Sequence, residues 1–410
     1  MRVAMLRCAL LALTLCSWLA LLPRTAFAQA APQTEAMVNP GESLRVSLLT
    51  FAPGETYWQR FGHNAILLEN TVTGANAVYN YGMFDFFQKN FFLNFARGHM
   101  VYRLDADTLE RTLQVYAYEG RWVYQQVLNL DAAQRLQLAA FLDDNARPEN
   151  RDYRYDYFRD NCSTRVRDAL DRTLGGALAT SLKAQPVAVT YRSEATRLIR
   201  PILPLALGMD AIMGPAGDAP ITRWEQSYVP EVFMQAVAEQ RIGGQPLVAE
   251  SRYLLANANS PVAPTEPLHW TGAAFAIGMT LALLLAWLAH GNSGWGFALV
   301  AAPLLLVMGL GGSFMLAAWT LTEHWSMAAN QNLLLFSPLA SLLLPAVWRR
   351  ARPRTAPGTL LRGLSWTMLL GALVALLPGG QHNAPWLALW LPVHLALAYG
   401  LMHRAREASY

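Results

Sequence analysis

Tyr157-Phe158-Arg159-Asp160-Asn161-Cys162-Ser163-Thr164-Arg165 is the stretch on which the reading of this chain turns. Asp160 and Asn161 before the cysteine, and Ser163 and Thr164 after it, are helix-start residues. Val166, Ala169, Leu170 and Leu174 follow at helical spacing. Cys162 therefore stands in the first turn of a helix, where unsatisfied backbone N–H groups stabilise a thiolate. The other two cysteines, Cys8 and Cys16, lie in the N-terminal apolar segment. A lone thiol in an exported domain has no disulfide partner, so its presence asks for a reason. A buried cysteine acts as a small hydrophobe; the helix-start context favours a nucleophile instead.

Export is read from residues 1–28. Arg2 and Arg7 precede an apolar run, and Ala26-Phe27-Ala28 is a small-x-small cleavage site, which places the mature start at Gln29. An uncleaved signal anchor is the rival reading. Residues 29–265 form the exported domain, closing on a Pro-rich linker from about 245, residues 266–403 a membrane domain and residues 404–410 a cytoplasmic tail. Apolar stretches at 270–289, 295–319, 333–348, 364–377 and 386–402 predict five crossings. From Thr271 onward the cationic side chains, histidine aside, are Arg349, Arg350, Arg352, Arg354, Arg362, Arg404 and Arg406. By the positive-inside rule their loop and tail are cytoplasmic, and 320–332 and 378–385 face the exported domain. The expected location is the bacterial inner membrane. A net charge of +4, partly these arginines, gives no sign of a nucleic-acid partner.

In the exported domain, strands are expected at 44–49, 63–69, 76–81, 121–130 and 151–158, and helices at 107–118, 131–145 and after Cys162. Residues 191–207 read as a helix broken by Pro201 and Pro204, and 208–220 as loop. The sum is an α+β fold, a mostly antiparallel sheet with helices packed on it. A nucleophilic cysteine needs a base, and His63, opening a strand after Gly62, is the main candidate; His99, in a turn, is the weaker one. Asn80, Tyr81 and Asp85 lie across the expected hairpin as possible orienting groups. Asn161 or Asp160, with the Cys162 N–H, is a possible oxyanion site. One Cys and two separated His make no credible metal set, so neither metal nor cofactor is expected.

Two further features stand out. Phe84, Phe86, Phe87, Phe91, Phe92 and Phe95 crowd one stretch, as ordinary core or as a greasy face toward lipid. The polar loop with Glu323, His324, Trp325 and Asn330 faces the exported side, and His324 and Asn330 are possible substrate-binding residues.

The order of His on a strand, then Cys at a helix start, resembles circularly permuted papain-like (NlpC-type) enzymes, the reverse of papain itself. More specifically, Phe61-Gly62-His63-Asn64-Ala65-Ile66, Tyr79-Asn80-Tyr81-Gly82-Met83-Phe84, Phe95-Ala96-Arg97-Gly98 and Asp160-Asn161-Cys162-Ser163-Thr164-Arg165 together resemble the Lnb family, as does the stretch 324–338. The resemblance implies a lipoprotein intramolecular transacylase. An acyl chain would leave the sn-2 oxygen of a diacylglyceryl-cysteine lipoprotein, pass through a Cys162 thioester, and end on the α-amine, with His63 moving the protons. The partners implied are the bilayer and a lipid or lipoprotein substrate. The rival readings are a cell-envelope hydrolase of the NlpC type and a non-catalytic anchored protein.

Overall fold

The computed structural model describes residues 41–290, 294–350, 359–377 and 379–407. The expected export signal, the Arg352 and Arg354 part of the basic loop, and residues 408–410 lie outside the described residues.

The exported part is built on a seven-stranded antiparallel sheet. Its strands are β1 (Leu44–Phe51), β2 (His63–Asn70), β3 (Asn76–Met83), β4 (Val101–Asp107), β5 (Val123–Leu128), β6 (Asp152–Arg154) and β9 (Val248–Leu255), in the order β6-β4-β3-β2-β1-β5-β9. A separate two-stranded ribbon pairs β7 (Arg241–Ile242) with β8 (Gln245–Pro246). β1 is central and buried on both faces, so its apolar run does not alternate cleanly. Leu49, Phe51, Ala65, Leu67, Val78 and Val123 form one packed face with Leu109, Leu113 and Tyr116 of helix Leu109–Tyr118. Helices Ala132–Asn145, Cys162–Thr173 and Pro230–Glu239 also pack on the sheet. Asp131 caps the first of these through a reciprocal capping box with Gln134, as its sequence predicts.

Several expectations need correction. Val101–Asp107 is a strand absent from the expectation, although Tyr102, Leu104 and Ala106 alternate with Arg103, Asp105 and Asp107 at period two. The expected strand at 151–158 shrinks to Asp152–Arg154. The expected linker contains β9, a mostly exposed edge strand paired to β5. Residues 208–212 are helical rather than loop, in the helix Leu203–Ile212. Pro204 sits in its first turn, where the missing N–H costs nothing.

In the membrane part, helices Thr271–His290, Gly294–Leu321 and Ala384–Glu407 are regular. Among the described residues four segments, not the five expected, are long and apolar enough to cross a bilayer: Thr271–His290, Gly294–Leu321, Trp325–Trp348 and Ala384–Leu401. The expected crossing at 364–377 falls mainly in the 16-residue helix Thr359–Val374. The third segment is not a continuous α-helix either. It runs as short 3-10 turns at Trp325–Met327, Gln331–Leu334 and Pro338–Leu343 before helix Leu344–Arg350. Irregular backbone at membrane depth survives only when protein buries it. Here a Cβ on Gly309 would lie 1.9 Å from Ser341 Oγ, and one on Gly312 would lie 1.6 Å from the Phe336 carbonyl. Glycine on the neighbouring helix therefore lets the broken segment nest against it, as small residues do in membrane bundles.

Candidate active site

Asn161 starts the Cys162 helix as an N-cap. Its side chain accepts from the Thr164 N–H at 2.9 Å, and Thr164 Oγ1 accepts from the Asn161 N–H at 2.7 Å. The next residue, Ser163, is fully buried and ties the helix start to β2, with Oγ donating toward Asn64 Oδ1 (2.8 Å) and the Ser227 carbonyl (2.6 Å). Asn64 is also anchored to Thr50 Oγ1 at 2.8 Å on β1. Cys162 is thus pinned beside the end of β2 by residues on both sides of it.

The thiol is partly buried and backbone-lined. N–H groups of Asn64, Ser163 and Cys162 itself face the sulfur, but burial dominates and pushes the Cys162 thiol up to about 11. This overturns the expectation of a lowered thiol pKa from the helix start alone: N–H dipoles oppose desolvation and lose. A Cβ on Gly82 would meet Cys162 Cβ at 3.4 Å and Tyr155 Cε2 at 3.7 Å. Gly82 has φ +87 and lies in the irregular stretch of β3 between Asn80 and Met83. Its lack of a side chain lets β3 pass close beside the Cβ of Cys162, a role that the string Tyr81-Gly82-Met83 does not reveal by itself.

His63 opens β2, paired to Phe51 on β1. The Phe51 ring lies 5.4 Å from the imidazole and stacks at 4.0 Å on Tyr116. Burial under these rings pulls the His63 pKa down to about 4, partly opposed by its bond to Asn80 and assisted by the Arg121 charge. His63 Nε2 and Asn80 Oδ1 are 3.1 Å apart. Asn80 Nδ2 donates to the Val78 carbonyl at 3.1 Å, which turns its oxygen toward the imidazole. Nε2 is therefore the protonated nitrogen and Nδ1 carries the lone pair. Among the described residues no hydrogen bond joins His63 to Cys162.

The other candidates fall elsewhere. Tyr81 is buried, on the opposite strand face from Asn80, against Tyr153 at 6.1 Å. Asp85 accepts from the Phe87 N–H at 2.8 Å and closes a turn. Asn161 Nδ2 donates to the Tyr157 and Tyr228 carbonyls at 3.0 and 2.9 Å, so no amide proton is left for an oxyanion. Asp160, a carboxylate paired with Arg165, offers no donor. Asn330 likewise spends both amide protons, on the Ala211 and Ile212 carbonyls at 2.9 and 2.8 Å. His324 Nε2 bonds the Phe95 carbonyl at 3.0 Å, and its ring faces Tyr157 at 6.4 Å.

His99 pairs at 2.6 Å with Glu323, which also pairs with Arg154. These bonds hold the Glu323 carboxyl below its usual pKa. Trp325 Nε1 donates to Asp156 Oδ2 at 2.7 Å, and the Arg159 guanidinium covers its ring at 3.6 Å. The loop and the exported domain enclose a cleft of about 320 Å³ lined by Arg154, Tyr155, Tyr157, Asp160, His324 and Trp325, among others. A second contact runs through Trp386 Nε1 to Asp210 Oδ2 at 2.9 Å and the His382 N–H to Asp218 Oδ2 at 3.0 Å. The loops 322–332 and 379–386 therefore sit at the end of the bundle that carries the exported domain.

A cysteine at a helix start, a histidine fixed by an asparagine and a membrane bundle bonded to that domain define a membrane-anchored enzyme class built around a candidate thiol. Residues 32–196 match the Lnb N-terminal periplasmic domain, and residues 264–407 match the Lnb transmembrane domain. The chain belongs to the Lnb family, which places it among multi-pass, lipoprotein-modifying membrane enzymes with a periplasmic domain. No curated protein and no solved structure matches it.

Proposed function

We propose that the protein transfers an acyl chain from the glyceryl group of a lipoprotein to that lipoprotein's N-terminal amine through a thioester on Cys162. The observation that carries the reading is the junction of β2 with the Cys162 helix. Asn64 reaches the thiol and Ser163, while its neighbour His63 is fixed by Asn80 with Nδ1 unprotonated. This Cys-His-Asn set, in this chain order, suits a permuted papain-like arrangement.

In the first step His63 Nδ1 takes the thiol proton and Sγ attacks the ester carbonyl. The C–S bond forms, the C–O bond breaks, and the glyceryl oxygen leaves with the proton from His63. In the second step the α-amine attacks the thioester, His63 takes its proton, and the sulfur leaves and is reprotonated. One hard acyl transfer becomes two easier ones. A neutral thiol beside a neutral imidazole requires the proton to move as attack occurs, so His63 acts as a general base rather than as half of a standing ion pair. The N–H groups of Asn64, Cys162 and Ser163 are the donors available to developing negative charge.

The bundle is read as five crossings, the short helix Thr359–Val374 included, with a cytoplasmic C-terminus. Reporters fused near Ala328 and near Arg354 are expected on opposite sides of the membrane; the same side for both would refute that topology. The function is tested by mass spectrometry of lipoprotein N-termini from cells with and without the protein. An N-acylated, lyso-glyceryl product that disappears in Cys162→Ala is expected. An N-acylated product with an intact diacylglyceryl group would refute the intramolecular donor. Unchanged N-termini would refute acyl transfer itself.

A further inference from the structure

We propose that the aromatic face of residues 57–58 and 84–93 inserts into the exported-side leaflet of the bilayer, so that the periplasmic domain touches lipid directly. Phe87 is 96% exposed and Phe92 76%, and Trp58, Phe86 and Leu93 are each about half exposed. These are not scattered side chains. Trp58 meets Phe86 at 6.2 Å, Phe86 meets Phe91 at 5.1 Å, and Phe91 meets Phe92 at 5.3 Å, with Phe91 itself buried as the anchor. A contiguous exposed apolar face of this kind marks an interaction surface.

Its position selects lipid as the occupant. The face is carried by helix Phe91–Arg97, whose last carbonyls bond the membrane domain: Phe95 to His324 Nε2 at 3.0 Å and Arg97 to the Glu323 N–H at 2.9 Å. Glu323 lies two residues beyond Leu321, the end of a bilayer-length helix. A helix of seven residues is only about 10 Å long. The aromatic face is therefore held within roughly one helix length of the chain's own membrane boundary. Exposed Lys89 and Arg97 flank it, as cations flank the apolar face of interfacial helices near lipid phosphates. The rings also continue inward, from Phe84 to Tyr102 at 5.1 Å and Tyr102 to Tyr155 at 4.1 Å, reaching the residue beside Gly82 and Cys162. That inward path matters for acyl delivery only on the reading of Cys162 as an acyl carrier; insertion does not depend on it.

The test needs no turnover, so its failure is separable from failure of the catalytic reading. The full chain, with its native cysteines replaced by alanine, receives a nitroxide at Phe87→Cys or Phe92→Cys and is reconstituted in phosphatidylglycerol–phosphatidylcholine vesicles. A label at Glu250→Cys, on the opposite sheet edge, is the aqueous control. Both Phe positions are well exposed, and an unchanged thermal melt checks that each variant folds. The expected result is oxygen-accessible, nickel-chelate-protected labels at depths of about 5–10 Å below the phosphates. Labels at 87 and 92 as open to the nickel chelate as the control would overturn the proposal. So would protected labels with dipolar broadening between copies, which would assign the face to a second chain.

Discussion

Two histidine–asparagine sets sit in the two halves of this protein, and they are wired in opposite ways. In the exported half His63 and Asn80 bond each other, and Asn80 spends its amide on Val78 only to aim its oxygen. Among the described residues His63 Nδ1 has no hydrogen-bond partner. In the membrane half His394 bonds the Leu335 carbonyl at 2.9 Å, while Asn330 bonds the Ala211 and Ile212 carbonyls and accepts from Gln381 at 3.0 Å. His394 thus serves a carbonyl of the third segment where it leaves the α-helix, and Asn330 serves the last carbonyls of helix Leu203–Ile212. In the exported half the histidine and asparagine bond each other; in the membrane half the same residue types each bond backbone carbonyls.

The largest effects should fall on the exported set. Cys162→Ala should lower acyl transfer by at least about a thousandfold, and His63→Ala by about a hundredfold to ten-thousandfold, both measured as hydroxylamine-labile acyl adduct. A His63→Ala rate within a small factor of wild type would erase the contrast with His394. The thiol should be alkylated slowly at neutral pH, because its pKa of about 11 keeps it protonated. Its alkylation rate should climb about tenfold per pH unit from roughly 7 to 10. A plateau near pH 8.5, the value of an ordinary thiol, would mean that the site is wetter than the packing around Gly82 implies.

A third outcome concerns acid. With its folded pKa at about 4 against roughly 6.5 unfolded, His63 binds fewer protons folded than unfolded in that window. Stability should therefore rise with pH between about 4 and 6.5 and be lost on acidification, by on the order of 3 kcal/mol, and His63→Gln should flatten that slope in denaturation curves. Asn330→Ala should instead cost about 1–3 kcal/mol of stability while Cys162 in the folded fraction keeps its alkylation rate. A change in that rate would make Asn330 part of the site after all. The smallest effect is Asn80→Ala, expected to slow acyl transfer about tenfold by freeing the His63 ring, equivalent to about 1.4 kcal/mol and close to one hydrogen bond.

What could be read from the sequence follows from the range of the forces involved. The Cys162 helix start, the Asp131 cap, the strand at His63 and the apolar helices are local signals, and the structure places elements at each. The sign of the Cys162 pKa shift was not legible, because burial depends on Gly82, Tyr155 and the sheet, which come from other parts of the chain. β4 carries period two over only seven residues that run directly into the Thr108 helix cap, and β9 loses it because Glu250, Ser251 and Arg252 lie on an exposed edge. The break in the third membrane segment was hidden for a similar reason: Leu333 to Leu344 is apolar enough to read as helix, and only the close approach of Gly309 and Gly312 shows why it need not be. Asn161 and Asn330 were recognised as notable, but their partners were carbonyls that no spacing rule points to.

The bonds between the two halves set a working position. Glu323 to His99 and Arg154, Trp325 to Asp156, Trp386 to Asp210 and the His382 N–H to Asp218 are spread over two separate loops. A domain moored at several points cannot swing on its linker as a tethered enzyme does. Cys162, carried by that domain, then keeps one position relative to the two loops, so whatever meets the thiol has to come to that position.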